Sequence, residues 1–244
     1  MWNNNKIYNA VIKTLSYSDV FDYPLRKSEL WKFLNIRIRV EKNFFDRILS
    51  QMVNAKQIGV KNGFYFLNGR GKIMFERLKR KRISIKKLEI AKKTAKIISF
   101  IPTIKLIGIS GSLSLKNAQK EDDIDFFIIT AQKSLWVTRF LVNTILLLVG
   151  LKRSVKDSRG MNLVCPNLFL SEEELSLPTA RRNIFSAREI AQLRVLYDKN
   201  NSYKKFLASN LWIKNFLPNF KIPKFKYQFK NSNNGILDFL DKIF

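Results

Sequence analysis

The chain contains no histidine and only one cysteine among its 244 residues. Without histidine, Ser-His-Asp and Cys-His catalysis and zinc sites of the ordinary type are excluded. Because a single cysteine cannot form an intrachain disulfide, we expect a reducing, cytoplasmic setting, and we interpret Cys165, which lies in an apolar run, as a small core residue. The N-terminal sequence MWNNNKIYNAV lacks the apolar segment of a signal peptide, which agrees with that expectation.

Acidic residues are scarce as well: 19 Asp and Glu face 45 Lys and Arg, which gives a net charge of +26. Such an excess favours anionic partners such as nucleic acid, nucleotides or an acidic membrane surface. The chain is also rich in Asn, Ile and Phe, so AT-rich coding is an alternative source of the lysines. A hydrophobic fraction of 46% supports a folded core, in one large domain or two smaller ones.

Three of the few acidic residues, Asp122, Asp123 and Asp125, lie at the start of one apolar run. They belong to the segment Leu106–Thr130, LIGISGSLSLKNAQKEDDIDFFIIT. Side chains alternate between the two faces of a strand, so we expect Asp123 and Asp125 to point the same way while Ile124 enters the core. Two carboxylates on one strand face repel each other unless a cation lies between them. Oxygen ligands of this kind suit Mg²⁺. The segment therefore predicts a metal-nucleotide site.

The same residues carry a family resemblance. Gly111-Ser112, ten further residues and then Asp123-Ile124-Asp125-Phe126 resemble the signature of the polymerase-beta-like nucleotidyltransferase superfamily. The resemblance implies an α+β fold with a small mixed sheet flanked by helices. It also implies that Asp123 and Asp125 are catalytic and bind Mg²⁺ or Mn²⁺, and that Gly111, Ser112 and Lys116 hold the phosphates of an NTP. The implied reaction transfers a nucleoside monophosphate to an unknown acceptor.

One feature departs from that pattern. Many family members have a third carboxylate on the following strand, but the predicted strand here, MNLVCPNLFLS, contains neither Asp nor Glu. Its inward polar candidates are Asn162 and Asn167, with Asp157 before it and Glu172 after it. An Asn side chain can ligate a metal through its carbonyl oxygen but cannot act as a base. An alternative function is thus a catalytically impaired protein that acts as a nucleic-acid-binding regulator.

The N-terminal part, residues 1–70, predicts a winged-helix-like domain. Helical patterns precede Asn62-Gly63, which is a strong hairpin signal between two β-prone runs. Residues 71–102 predict a basic helical connector, since residues 70–96 contain twelve Lys or Arg and two Glu. Either region is a candidate nucleic-acid contact, and the alternative for both is ordinary solvated charge. In the first region the candidate contacts are Arg37, Arg39, Lys42, Arg47 and Lys56.

The predicted nucleotidyltransferase core covers residues 103–178 and is followed by a helical C-terminal region and basic tail, 179–244. Within the core, residues 134–151 are strongly apolar but are interrupted at Arg139, Asn143 and Thr144. We expect a buried helix there rather than a membrane span, with a peripheral membrane helix as the alternative. In the C-terminal region, FSAREIAQLRVLY predicts one helix whose capping box joins Ser186 and Glu189.

Overall fold

The computed structural model describes residues 4–152 and 162–223 as a mixed α+β protein. Asp157 and the tail beyond residue 223 lie outside the described residues. The N-terminal part contains helices α1 (Asn4–Asp19), α2 (Lys27–Lys32) and α3 (Lys42–Asn54), and strands β1 (Leu25–Arg26), β2 (Ile58–Lys61) and β3 (Phe64–Leu67). The turn at Asn62-Gly63 joins β2 and β3, and both of its residues have positive φ. The predicted hairpin is therefore confirmed, and β1 adds a third antiparallel strand beside β3.

Helix α4 (Ile73–Ile98) spans most of the basic segment predicted as a connector, and its two halves have different neighbours. Its C-terminal half is buried at Leu88, Ala91, Ala95 and Ile98, which pack in one cluster with the second sheet. In its N-terminal half, the Arg77 guanidinium pairs with Glu29 of α2 at 2.7 Å. Part of the basic run is thus neutralised inside the protein, where it ties α4 to the N-terminal helices.

The second sheet has four strands in the order β6-β5-β4-β7. Their bounds are β4 (Ile104–Ile109), β5 (Ile124–Thr130), β6 (Val164–Ser171) and β7 (Arg194–Asp198). Strand β4 is antiparallel to β5 and β7, whereas β5 and β6 are parallel, so the sheet is mixed. Alternate residues of β5 enter opposite clusters: Phe126 and Ile128 face α4, while Phe127 and Ile129 face the C-terminal helices. Both faces of the sheet are covered, which explains its almost continuous apolar strands.

Helix α6 (Leu135–Leu148) packs on the α4 face of the sheet, but it is not the buried helix that the sequence predicted. Only Thr138, Val142 and Leu146 are buried. Most of its other apolar side chains are exposed, including Trp136, Phe140 and Leu148. The expectation was wrong because total hydrophobicity does not reveal how many neighbours a helix has. Among the described residues, no helix is both long and apolar enough to cross a bilayer.

The C-terminal region is not one continuous helix after Asn183. Helix α7 (Ile184–Gln192) ends before β7, and α8 (Ser202–Ser209) follows it. The predicted single helix through Tyr197 was wrong because Val195 and Tyr197 pair with β4, and Leu196, at the register shift between them, packs in the core. A short apolar run fits either a helix or a strand by its periodicity, and here the tertiary partner decides.

Candidate functional site

The site begins at the sharp turn that follows β4. Gly111 has φ +61°, and a Cβ atom at this position would lie 3.0 Å from Asp125 Oδ2. Only glycine therefore combines this backbone conformation with such a close approach to the carboxylate. The turn leads into α5 (Gly111–Ser114), a single helical turn. The backbone N–H of Ser110 donates to Asp125 O at 3.1 Å, which fixes the turn against β5.

Asp123 and Asp125 lie together, as expected, although only Asp125 belongs to the strand, since β5 begins at Ile124. Ile124 is fully buried between them. Carboxylate oxygens of both residues and Cys165 Sγ all lie within 4.8 Å of one another. All three side chains are half-buried. A donor set of this size and spacing fits a divalent cation, with room left for water and substrate oxygens.

Cys165 is the unexpected member of this cluster. The sequence predicted a core position, but the side chain is partly exposed beside the carboxylates. Strands β5 and β6 run parallel in a register that pairs Cys165 with Asp125. Since paired residues present their side chains to the same face of the sheet, the thiol lies on the same face as the Asp125 carboxylate. The alternation of side chains along β6 was visible in the sequence, but the register between β5 and β6 was needed to show that Cys165 lies beside Asp125.

The two asparagines that the sequence offered as inward-facing polar residues, Asn162 and Asn167, lie in different places in the structure. Asn167 lines the same cavity as Asp125. It is the extra residue at a register shift, because Phe126 pairs with Pro166 and Phe127 with Leu168. A bulge of this kind re-aims a side chain next to a site. Asn162 instead adopts a positive φ in the loop before β6 and does not line the cavity.

Ser112 lines the cavity, and its hydroxyl donates to Asp122 Oδ2 at 2.8 Å. The same oxygen of Asp122 accepts the backbone N–H of Gln119 at 3.0 Å. The Lys87 ammonium group donates to the carbonyl of Asp122. Asp122 therefore organises the loop that precedes Asp123.

Lys116 is the one predicted site residue that lies elsewhere. It lines an adjoining cleft together with Lys81 and Arg194. Burial and then the charges of Arg194 and Lys81 lower the pKa of Lys116. We call the cavity lined by Ser112, Asp125 and Asn167 the acidic cavity. The cleft and the acidic cavity share Tyr23, Leu115 and Gln192 as lining residues, so they are neighbouring compartments.

Glu189 is the second carboxylate that lines the acidic cavity, beside Asp125, and it comes from α7 rather than from the sheet. The backbone N–H of Gly111 donates to Glu189 Oε2 at 3.4 Å, and Gln192 donates to its other oxygen. Burial raises the pKa of Glu189 above its ordinary value, although these hydrogen bonds oppose the shift. The predicted capping box with Ser186 was wrong. Asn183 caps α7 instead, because the helix begins three residues earlier than that box requires.

Arg188 forms another wall of the cavity and was missed by sequence reasoning. Only 4% of the side chain is exposed. Its Nη2 donates to Ser18 Oγ at 2.8 Å, and the guanidinium lies 4.6 Å from the Tyr17 ring and 4.5 Å from the Phe33 ring. Nη1 is buried and has no hydrogen-bond partner among the described residues. Burial lowers the pKa of Arg188 to about 10, so it remains a cation at neutral pH.

No local pattern in the sequence distinguishes Arg188 from the many other basic residues. Its neighbours Tyr17 and Ser18 lie about 170 positions away in the chain, so only the tertiary structure reveals its place. In comparisons with protein-family models, curated proteins and solved structures, nothing matched this chain.

Proposed function

We propose that the chain is a divalent-metal-dependent nucleotidyltransferase that transfers a nucleoside monophosphate from an NTP to an acceptor hydroxyl or phosphate. The observation that carries the proposal is the convergence of Asp123, Asp125 and Cys165 within 4.8 Å, directly beside the Gly111-Ser112 turn. This chemistry depends mainly on positioning and electrostatics, so it needs no histidine.

Asp123 and Asp125 are the residues that would hold Mg²⁺ or Mn²⁺, and Cys165, whose Sγ lies within 4.8 Å of their oxygens, would be a third donor. The metal would supply charge stabilisation to the phosphoryl oxygens of the reacting phosphate. A thiolate is a softer ligand than a carboxylate, so Cys165 favours Mn²⁺ over Mg²⁺ relative to a site with three carboxylates. Gly111 and Ser112 line the cavity where the nucleotide phosphates would lie.

In this proposal Glu189 accepts the proton of the acceptor hydroxyl. It is the carboxylate in the cavity that lies outside the donor cluster, and burial moves its pKa toward neutrality. A base is most effective when its pKa lies near the working pH. Arg188, the residue before Glu189, contributes a buried positive charge to the wall of the same cavity and can pair with an anionic group of the bound substrate.

Isothermal titration with a non-hydrolysable NTP tests the nucleotide-binding step without knowledge of the acceptor. We expect binding that requires Mn²⁺ or Mg²⁺ and that is lost in Asp123→Asn and in Asp125→Asn. The matched control is Glu121→Gln, which removes the same charge from an exposed position two residues before Asp123. Metal-independent binding, or binding that survives in both Asp variants, would contradict the proposal.

The alternative, a regulator that retains this arrangement without turnover, is favoured by the thiol of Cys165 in place of a carboxylate. Transfer of label from α-³²P-labelled NTP to a mixed pool of oligonucleotides and small hydroxyl compounds separates the two functions. An enzyme labels an acceptor in a metal-dependent way. If the protein is a regulator, the wild type labels no acceptor, and the wild type and the Asp125→Asn variant bind nucleic acid equally well. In that case Cys165→Asp, which restores a third carboxylate, is the variant in which transfer activity would reappear.

A further inference from the structure

The acidic cavity is the end of a longer basic groove. Three further clefts adjoin it in series, and each shares lining residues with the next. The first cleft, about 530 Å³, meets the acidic cavity at Tyr23 and Gln192. The second, about 720 Å³, meets the first at Arg26 and Lys32, and the third meets the second at Trp31. The four compartments are thus neighbours in a row along the N-terminal helices.

The lining of this row of compartments is strongly cationic. The three clefts together are lined by ten basic and three acidic side chains. Two of the acids are already paired, Glu29 with Arg77 and Asp46 with Lys27. Among the described residues, no carboxylate forms an ion pair with Arg39, Lys42, Lys81 or Lys116. The groove therefore concentrates positive charge that the protein itself does not neutralise.

Burial and mutual repulsion make these cations costly in the absence of a ligand. Burial lowers the pKa of Lys32, and the nearby Arg188 and Arg194 lower it further, although the charge of Glu29 partly opposes the shift. Burial and neighbouring basic side chains also lower the pKa of Lys116. Cations held together in this way gain free energy when an anion enters, since a groove with low-dielectric walls focuses their field.

From this arrangement we infer that the groove binds the phosphodiester backbone of a single-stranded nucleic acid and directs the end of that strand into the acidic cavity. A series of adjoining clefts fits a linear polyanion, whereas a compact phosphate ligand would occupy only one of them. Half-buried Trp31, which lines two of the clefts, offers a stacking surface, as in other single-strand grooves.

The groove also revises the expected nucleic-acid contacts. Of the candidates in the N-terminal part, Arg39 and Lys42 line the groove, whereas Arg47 lies over the Phe44 ring outside it. Binding to the groove does not depend on the proposed function. Only the fate of the strand end rests on it: a terminal hydroxyl delivered beside Glu189 would be the acceptor.

Fluorescence anisotropy with labelled 16-nucleotide oligo(dT) and oligo(U), measured without NTP, tests the inference. We expect Lys81→Gln/Lys116→Gln to weaken binding at least about tenfold, since two charge-assisted contacts are lost. The slope of log affinity against log salt should fall by about 1.4, which corresponds to two phosphate contacts on a single strand. The charge-preserving Lys81→Arg/Lys116→Arg should retain wild-type binding and shows that the fold is intact.

The matched control is Lys96→Gln/Lys204→Gln, which removes the same charge from exposed positions outside the groove. If this control weakens binding as much as the groove variant, the attraction is a property of the net charge and the inference is wrong.

Two further measurements test whether the ligand is a linear polyanion. Affinity should rise from 4 to 16 nucleotides, and tripolyphosphate should compete far less well than the 16-mer; equal competition would identify a compact phosphate site and overturn the inference. Because NTP is absent throughout, failure here is distinct from failure of the transfer reaction.

Discussion

At the scale of single residues, Glu189 illustrates a conflict between stability and the proposed chemistry. The side chain lies in a cavity that raises its pKa, so the folded protein holds the proton more tightly than the unfolded chain does. The charged form therefore destabilises the fold above the raised pKa, and the penalty disappears below the unfolded value of about 4.5. Functional sites commonly carry such penalties.

We expect Glu189→Gln to raise the thermal midpoint at pH 8 and to abolish transfer activity. The amide still accepts the N–H of Gly111 but carries no charge and no basic oxygen. The gain in thermal midpoint should shrink as the pH falls toward 4.5, because both proteins are then neutral at this position. Calorimetry across this pH range is the measurement. A gain that stays constant with pH would show that the carboxylate charge is not its cause.

The residues of the site differ in how far the sequence alone revealed them. Gly111, Ser112, Asp123 and Asp125 are close in the chain, and their spacing within a strand–turn–strand unit predicted that they meet. Glu189 and Arg188 come from a helix more than 60 residues later, and Cys165 depends on a parallel register with β5. Long-range pairing of this kind is set by the tertiary structure, so no local pattern could show it.

At the scale of secondary-structure elements, the adjacent residues Leu146 and Leu147 of α6 have opposite environments. Leu146 is fully buried on the sheet, whereas 66% of Leu147 is exposed. A sequence window that averages over α6 cannot separate them, which is why the helix was expected to be buried throughout. Strand β7 was missed for a related reason: its apolar run forms a strand because it pairs with β4, and the run alone does not reveal that partner.

We expect Leu146→Ala to lower the free energy of unfolding by about 2–5 kcal/mol, because it leaves a cavity between α6 and the sheet. Leu147→Ala should change this free energy by less than about 0.5 kcal/mol. The two variants have the same chemistry on the same helix, so each controls for the loss of leucine in the other. Equilibrium denaturation with urea gives both values, and similar losses in the two variants would contradict the observed orientation of α6.

At the scale of the whole molecule, several contacts that join the N-terminal part to the rest of the protein lie beside the candidate site. Tyr23 donates to the carbonyl of Leu115, Asn117 donates to that of Phe21, and Arg188 reaches Ser18. Burial raises the pKa of Tyr23 strongly, so its phenol remains a neutral donor in this contact. The acidic cavity and the basic groove are both built at this junction, with α1, α2 and β1 on one side and α4, α5 and α7 on the other.

A chain with a net charge of +26 repels itself, and the groove brings ten of its basic side chains together with only three acidic ones. We therefore expect Lys81→Gln/Lys116→Gln, the variant that loses strand binding, to unfold at a higher temperature than the wild type at 10 mM salt. The gain should largely vanish at 1 M salt, where the Debye length falls from about 30 Å to about 3 Å. Lys96→Gln/Lys204→Gln removes equal charge and should gain less, because its lysines lie outside the groove. Thermal unfolding at the two salt concentrations measures both gains. Equal gains in the two variants would mean that the positive charge is spread evenly over the surface, and the groove would then have no special affinity for a polyanion.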